Sequence, residues 1–260
     1  MCLILLAYRC HAGLELAVAA NRDEYHDRPA LAARFWPEQP QLLAGRDLQA
    51  GGTWMGCSRA GRFAAVTNFR EPGVTSGRRS RGELCTDFLL GADAADDFIR
   101  RLAPSDQHYG GFNLLLWDGV RLLFYSNQER LPRALGAGIY GVSNGYLNTP
   151  WPKVANGRRS LAGALARGFD PSDALTLLGD RTRPADQQLP DTGVGLDKER
   201  LLAPAFICSP DYGTRVSTVF TLRRDGTARW LEKRYDAAGT AVGQVDFEFS
   251  TGRRPPDAMR

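Results

Sequence analysis

The order of elements along the chain predicts an α+β protein, a four-layer α/β/β/α sandwich of two mainly antiparallel sheets. Two observations carry this. Strands and helices come in blocks: strands, paired helices, strands, paired helices, strands. Each sheet is therefore expected to carry helices on its outer side. The first hairpin is apolar throughout, as an inner layer covered on both faces requires. At 260 residues, 43% hydrophobic and 24% charged, the chain has apolar material for such a core, and a single domain over 1–260 is expected.

Residues 3–8 form an apolar run, His11-Ala12-Gly13 a turn, and residues 14–20 (LELAVAA) a second run, the pattern of a hairpin. The polar segment Asn21-Arg22-Asp23-Glu24-Tyr25 follows directly. Strands are predicted over 52–58 and 62–69, joined at Arg59-Ala60-Gly61. Helical periodicity covers 82–90 and 94–102, with Asp93 as the cap of the second helix. Strands return at 111–117 and 121–126 about Asp118-Gly119, a strong hairpin signal, and again at 139–143. Helices are predicted over 151–165 and 172–178. Residues 182–197 are rich in Pro, Asp and Gly and read as a long surface loop. Strands over 205–208, 217–222, 228–235 and 245–249 close the chain, with Asp225-Gly226 turning the middle pair.

Charge and cysteine usage exclude several classes. The formal net charge is +4, and the arginines are scattered rather than drawn into a stripe, so no nucleic-acid partner is expected. The densest cluster, Arg78-Arg79-Ser80-Arg81, reads as a solvated loop. Five cysteines (2, 10, 57, 85 and 208) without a CxxC pair fit neither a disulfide framework nor a zinc site. His11, His26 and His108 show no metal-ligand spacing. A reducing compartment, and hence a cytoplasmic protein without a signal peptide or membrane span, is the expectation.

Cys2 is the residue with the most chemistry to offer. Methionine before a small residue is readily removed, which would leave a thiol and a free α-amine on adjacent carbons. A nucleophile and its base then reside in one residue, and a free α-amine titrates at about 7.7–8.0, close to neutral pH. The plainer alternative is a small hydrophobe opening a buried strand. In a hairpin the end of the second strand lies beside the start of the first, which brings Arg22 and Asp23 towards Cys2. Asp23 would hold the amine by a hydrogen bond, and Arg22 would favour the thiolate.

Several motifs carry a resemblance. Met1-Cys2, Ala20-Asn21-Arg22-Asp23-Glu24-Tyr25 with Arg28-Pro29, and Gly51-Gly52-Thr53-Trp54-Met55-Gly56 are similar to those of the NRDE family (transport and Golgi organization protein 2-like). So are Thr67-Asn68, Arg81-Gly82-Glu83-Leu84, Gly111-Phe112-Asn113-Leu114, Tyr140-Gly141-Val142-Ser143-Asn144, Thr149-Pro150-Trp151 and Tyr212-Gly213-Thr214-Arg215, in order over nearly the whole chain. The resemblance implies a fold like that of N-terminal nucleophile hydrolases. The chain also resembles, more distantly, N-terminal cysteine amidases. That likeness implies a catalytic set of Cys2, Arg22, Asp23, Asn68, Asn144 and Arg215. In the amidases the Arg and Asp are two residues apart, whereas Arg22 and Asp23 are adjacent. Either Asn21 or Arg22 takes the Arg position, and either Asp23 or Glu24 the Asp position. Asn21, Glu24 and Trp54 are expected as binding residues of the cleft.

Two functions follow from these expectations. One is a hydrolase of a linear amide or acyl bond, working through a Cys2 thioester, with Asn68 and Asn144 as oxyanion donors and Arg215 orienting the thiolate or an anionic part of the substrate. It needs no cofactor. The other, implied by the NRDE resemblance, is an intracellular haem-trafficking or acyl-CoA and lipid-binding protein that uses the same cleft without turnover. The ligand is in either case a small molecule: an acyl amide, haem or acyl-CoA.

Overall fold

The computed structural model describes residues 2–70 and 77–252, position 2 by its backbone. Its strands, in chain order, are β1 (Cys2–His11), β2 (Leu14–Tyr25), β3 (Ala30–Trp36), β4 (Gln39–Asp47), β5 (Met55–Ser58), β6 (Phe63–Asn68), β7 (Phe112–Trp117), β8 (Leu122–Ser126), β9 (Arg133–Leu135), β10 (Gly138–Val142), β11 (Tyr212–Arg223), β12 (Thr227–Tyr235) and β13 (Ala241–Ser250). Its helices are α1 (Arg81–Leu90), α2 (Ala95–Leu102), α3 (Pro152–Ala166), α4 (Pro171–Leu178) and α5 (Leu196–Leu202). The strands make two antiparallel sheets, ordered β10-β1-β2-β11-β12-β13 and β3-β4-β5-β6-β7-β8-β9.

Strand periodicity builds the layers. Successive side chains of β1 point to opposite faces, and Leu3, Ile4, Leu5 and Leu6 are each at most 3% exposed, so both faces are covered. Ile4 and Leu6 join Val18 and Phe220 in packing against Leu43, Met55, Phe63 and Leu115 of the other sheet. Leu3 and Leu5 join Ala17 and Ala19 under Val154 and Leu161 of α3 and Ala174 and Leu178 of α4. On the far side, Leu84 and Phe88 of α1 and Phe98 and Ile99 of α2 cover Ala44, Ala64 and Leu114. The result is the α/β/β/α sandwich that the sequence predicts. Among the described residues no helix is long and apolar enough to cross a membrane.

Four local expectations are corrected. Strand β2 runs on through the polar segment to Tyr25, because β11 pairs with it as far as Tyr212↔Tyr25. The hairpin β3–β4 lies where no element was expected, its polar and Pro-containing stretches masking the strand pattern. Residues 205–208 are a buried irregular segment rather than a strand: Asn21 Nδ2 donates to the Ala205 carbonyl at 2.7 Å, and Ile207 N donates to Thr214 Oγ1 at 2.9 Å. Helix α2 has no side-chain cap from Asp93; instead Asp118 Oδ2 accepts the Ala95 N–H at 2.9 Å.

Candidate active site

The open end of the β1–β2 hairpin meets β11 at an irregularity. Cys2 pairs with Arg22 and Leu3 with Asn21. On the other side of β2, Thr214 pairs with Asp23 and Val216 with Arg22, which leaves Arg215 as an extra, bulged residue. A cleft of about 620 Å³ opens here. Arg22, Asp23 and Glu24 line it from the hairpin, Arg28 from the turn after it, Asp47 and Asn68 from the other sheet, Thr53 and Trp54 from the loop between β4 and β5, and residues 77–82 from the segment that enters α1. Met1 lies outside the described residues, so position 2 is placed here through its backbone pairing with Arg22.

Arginine and carboxylate groups interlock along one wall. Arg22 Nη2 lies 3.1 Å from Asp47 Oδ2 and 3.6 Å from Glu24 Oε2, and its guanidinium stacks 4.3 Å from the Trp54 ring centroid. Arg28 Nε donates to the same Asp47 oxygen at 2.7 Å. The other Asp47 oxygen accepts the N–H groups of Gln49 and Ala50 at 3.0 and 2.9 Å, closing a turn completed by Gly51 at φ 80°. Partial burial opposes ionisation of Asp47, but the Arg28 hydrogen bond, the Ala50 N–H and the charges of Arg28 and Arg22 outweigh it and hold the carboxyl below its ordinary range.

Asp23 is held differently. It is 1% exposed, its Oδ1 accepts from Thr214 Oγ1 at 2.6 Å, and its carbonyl accepts from Tyr212 Oη at 3.0 Å. Burial pushes its carboxyl up, while the charge of Lys153, the Thr214 bond and Arg22 pull the other way. Lys153, on α3, is itself buried and donates to the Leu202 carbonyl at 2.8 Å. Neither its part nor that of Asp47 was foreseen, although Lys153 is one of only three lysines in the chain. Deeper between the sheets, Glu232 is fully buried, its Oε1 accepts the Ala33 N–H at 2.8 Å, and burial pushes its carboxyl up to about 7.

The expected site residues divide into two groups. Arg22, Asp23, Glu24, Trp54 and Asn68 line the cleft. Asn21, Asn144 and Arg215 do not line it, and each has a physical reason. Alternation along β2 turns Asn21 to the helix side, where its Nδ2 donates to the Leu178 and Ala205 carbonyls and its Oδ1 accepts from Ser217. Asn144 is 1% exposed and donates from Nδ2 to the Asn68 carbonyl at 2.8 Å, so it stands behind Asn68. Arg215 Nη1 donates to the carbonyls of Tyr25, His26 and Arg28, and so it clamps the turn that follows β2. Arg78 and Arg79, expected in a solvated loop, are exposed and also rim the cleft.

Two backbones touch where the cleft is walled. A Cβ on Gly52 would come within 2.5 Å of the Gly82 carbonyl carbon, and Thr53 N donates to Gly82 O at 3.3 Å. Gly82 lies in the first turn of α1, which is closed by a capping box of Ser80 and Glu83. Similarly, Trp54 packs so tightly on Gly45 that a Cβ there would come within 2.5 Å of the ring. Among the described residues the cleft lining includes no His, Met or Tyr.

This architecture has solved counterparts. The chain matches the structure of the C2A mutant of conjugated bile acid hydrolase from Clostridium perfringens with a TM-score of 0.52 at 8% identity, over 98% of both chains. It matches a Caenorhabditis elegans N-acylethanolamine-hydrolyzing acid amidase ortholog with a TM-score of 0.50 at 10% identity, over 84% of this chain and 91% of that one. At such identities the likeness is one of fold, that of the N-terminal nucleophile hydrolases. In sequence, the chain is 37% identical over 236 residues to the Transport and Golgi organization protein 2 homolog of Bos taurus, covering 84% of this chain and 86% of that protein. With the Homo sapiens homolog the identity is 34% over the same shares. The family profile of Transport and Golgi organisation 2 matches residues 1–237. The chain therefore belongs to the Transport and Golgi organisation 2 family, the NRDE family that its motifs resemble.

Proposed function

We propose that this chain is a cysteine-dependent hydrolase that opens a linear amide or acyl bond through a thioester on Cys2. One observation carries the reading: the hairpin register sets position 2 across from Arg22, with Asp23 the next residue, on the wall of a polar cleft. The names of the two structural relatives supply a consistent chemistry, since both describe hydrolases and one was solved with its residue 2 cysteine replaced.

In this reading the α-amine freed by removal of Met1 takes the thiol proton, and the sulfur attacks the carbonyl carbon of the substrate. The C–N or C–O bond then breaks, the amine gives its proton to the leaving group, and the acyl group stays on sulfur. Water, deprotonated by the same amine, hydrolyses the thioester and releases the acid. Asp23 would hold the amine, with Thr214 fixing the carboxylate. Arg22, pinned between Asp47 and Trp54, would favour the thiolate. Asn68 would donate to the oxyanion, with Asn144 fixing its backbone, and one such donor is typically worth about 3 kcal/mol of barrier. Arg215 would shape the turn that carries Arg28.

The test is intact-mass analysis of the purified protein before and after a thiol-directed acyl probe. The expected result is loss of Met1 and one acyl group on Cys2 that turns over on standing. Retained Met1, or a Cys2 that stays unmodified while the other cysteines react, defeats the hydrolase reading and leaves a cleft that holds its ligand without turnover.

A further inference from the structure

We infer that the cleft recognises its substrate by an anionic group, a carboxylate or a phosphate, rather than by a long hydrocarbon chain; this rests on the hydrolase reading for its place beside Cys2. The lining holds five arginines against three acidic residues, a formal excess of two positive charges. The acids are already engaged. Asp47 is shared by Arg22 and Arg28, Glu24 lies 3.6 Å and 3.7 Å from the same two guanidiniums, and Asp23 is buried on Thr214. None of them pairs with the segment that leads into α1, where Arg79 is held by Glu83 at 2.8 Å and Arg78 has no ion pair among the described residues.

Two donors are left unmet. The Arg22 side chain is 5% exposed, yet its Nη1 is buried without a hydrogen-bond partner among the described residues. A buried charged donor left unmet is costly, and an anionic oxygen drawn in beside Arg22, which lines the cleft, would supply its acceptor. Arg78, on the rim, has neither an ion pair nor a hydrogen bond among the described residues.

The apolar lining is correspondingly thin. Among the described residues it consists of Ala50, Trp54 and Val66, and the Arg22 guanidinium covers one face of Trp54. A fatty or steroid chain would therefore find little to bury against, whereas a short acyl group ending in an anion would meet Arg22 and Arg78.

The experiment compares acylation rates of Cys2 by p-nitrophenyl esters of succinate, butyrate and decanoate in the full chain at low salt. The succinyl ester is expected to react at least about 10-fold faster than the butyryl ester, with decanoyl no faster than butyryl. The succinyl-to-butyryl ratio should fall at least about threefold in Arg78→Gln/Arg79→Gln and in about 0.5 M salt. Competition by glutarate against inorganic phosphate tells which anion the seat prefers. Equal succinyl and butyryl rates, or a preference for decanoyl, overturn the anion inference and leave the hydrolase reading standing. If no ester labels Cys2, the hydrolase reading falls, and calorimetric titration of Cys2→Ala with glutarate and with phosphate decides the rest. Binding of either that is weakened in Arg78→Gln/Arg79→Gln sustains the anion seat, and no binding of either overturns it.

Discussion

The two ends of the β1–β2 hairpin carry nearly the same groups and do opposite things with them. Each end has a cysteine, an arginine paired with a carboxylate, and an aromatic ring under the arginine. At the turn, Arg9 lies 2.7 Å from Glu15 and over Tyr8 and Trp117; at the open end, Arg22 lies 3.1 Å from Asp47 and over Trp54. The difference is which partner is buried. At the turn the carboxylate is buried, at 4% exposure, and the Arg9 side chain is 42% exposed. At the open end the guanidinium is buried, at 5%, and the carboxylates are the more exposed partners. A matching inventory of residues does not make a site. A cleft, and the sign of the charge left beneath it, set the open end apart from the turn end.

The sharpest way to break this comparison is through its cysteines. Cys2→Ala should abolish labelling by the acyl probe, a loss of about 100-fold or more, whereas Cys10→Ala, at the exposed turn, should leave the labelled mass and rate as in wild type. The next effect reads the buried charge balance beyond Arg22. Burial raises Glu232 from an ordinary 4.5 to about 7, so ionising it costs the folded state. Its contribution to stability is complete below about pH 4.5 and is lost as pH rises through about 7. Urea melts of Glu232→Gln against wild type should therefore show the variant gaining relative stability from pH 5 to 8, by about 3 kcal/mol at most. A constant difference over that range would mean that Glu232 does not titrate there.

Trp54→Ala removes the surface on which Arg22 stacks and should cost about 2 kcal/mol in chemical denaturation, together with a slower Cys2 acylation. The smallest effect belongs to the turn. Arg9→Gln exchanges a half-exposed ion pair for a hydrogen bond and should cost at most about 1 kcal/mol, with no change in acylation. A larger loss at Arg9 than at Trp54 would erase the distinction between the two ends.

Much of the frame was legible because it rests on unbroken apolar periods: the first hairpin, the helices under Leu84 and Val154, and the strands about Asp118-Gly119. The rest was hidden for definite reasons. Pro40 and the glutamines beside it disguise β4, and with it Asp47, the acid that holds both Arg22 and Arg28. The apolar residues of 205–208 look like a strand, but side chains of Asn21 and Thr214, far away in sequence, satisfy their backbone instead. In the site, a polar tetrapeptide shows which residues cluster but not which way they face. Only the continuation of β2 through the tetrapeptide, with its alternation, separates Arg22, over Trp54, from Asn21 under the helices. Arg215 could be read as a charge near the site, but the bulge that aims it at three carbonyls of the following turn could not.

The contact between Gly52 and Gly82 bears on how readily this cleft can change its ligand. Because the two walls are fastened main chain to main chain, their spacing does not depend on any side chain of the rim. Arg78 and Arg79 can therefore be exchanged for other residues without the walls moving, and a single substitution there retunes what the cleft accepts. A methyl group on Gly52 would instead drive into the Gly82 backbone and part the walls, while one on Gly82 would press on Thr53 N at 3.1 Å, so the same pocket tolerates more variety at its rim than at its seam.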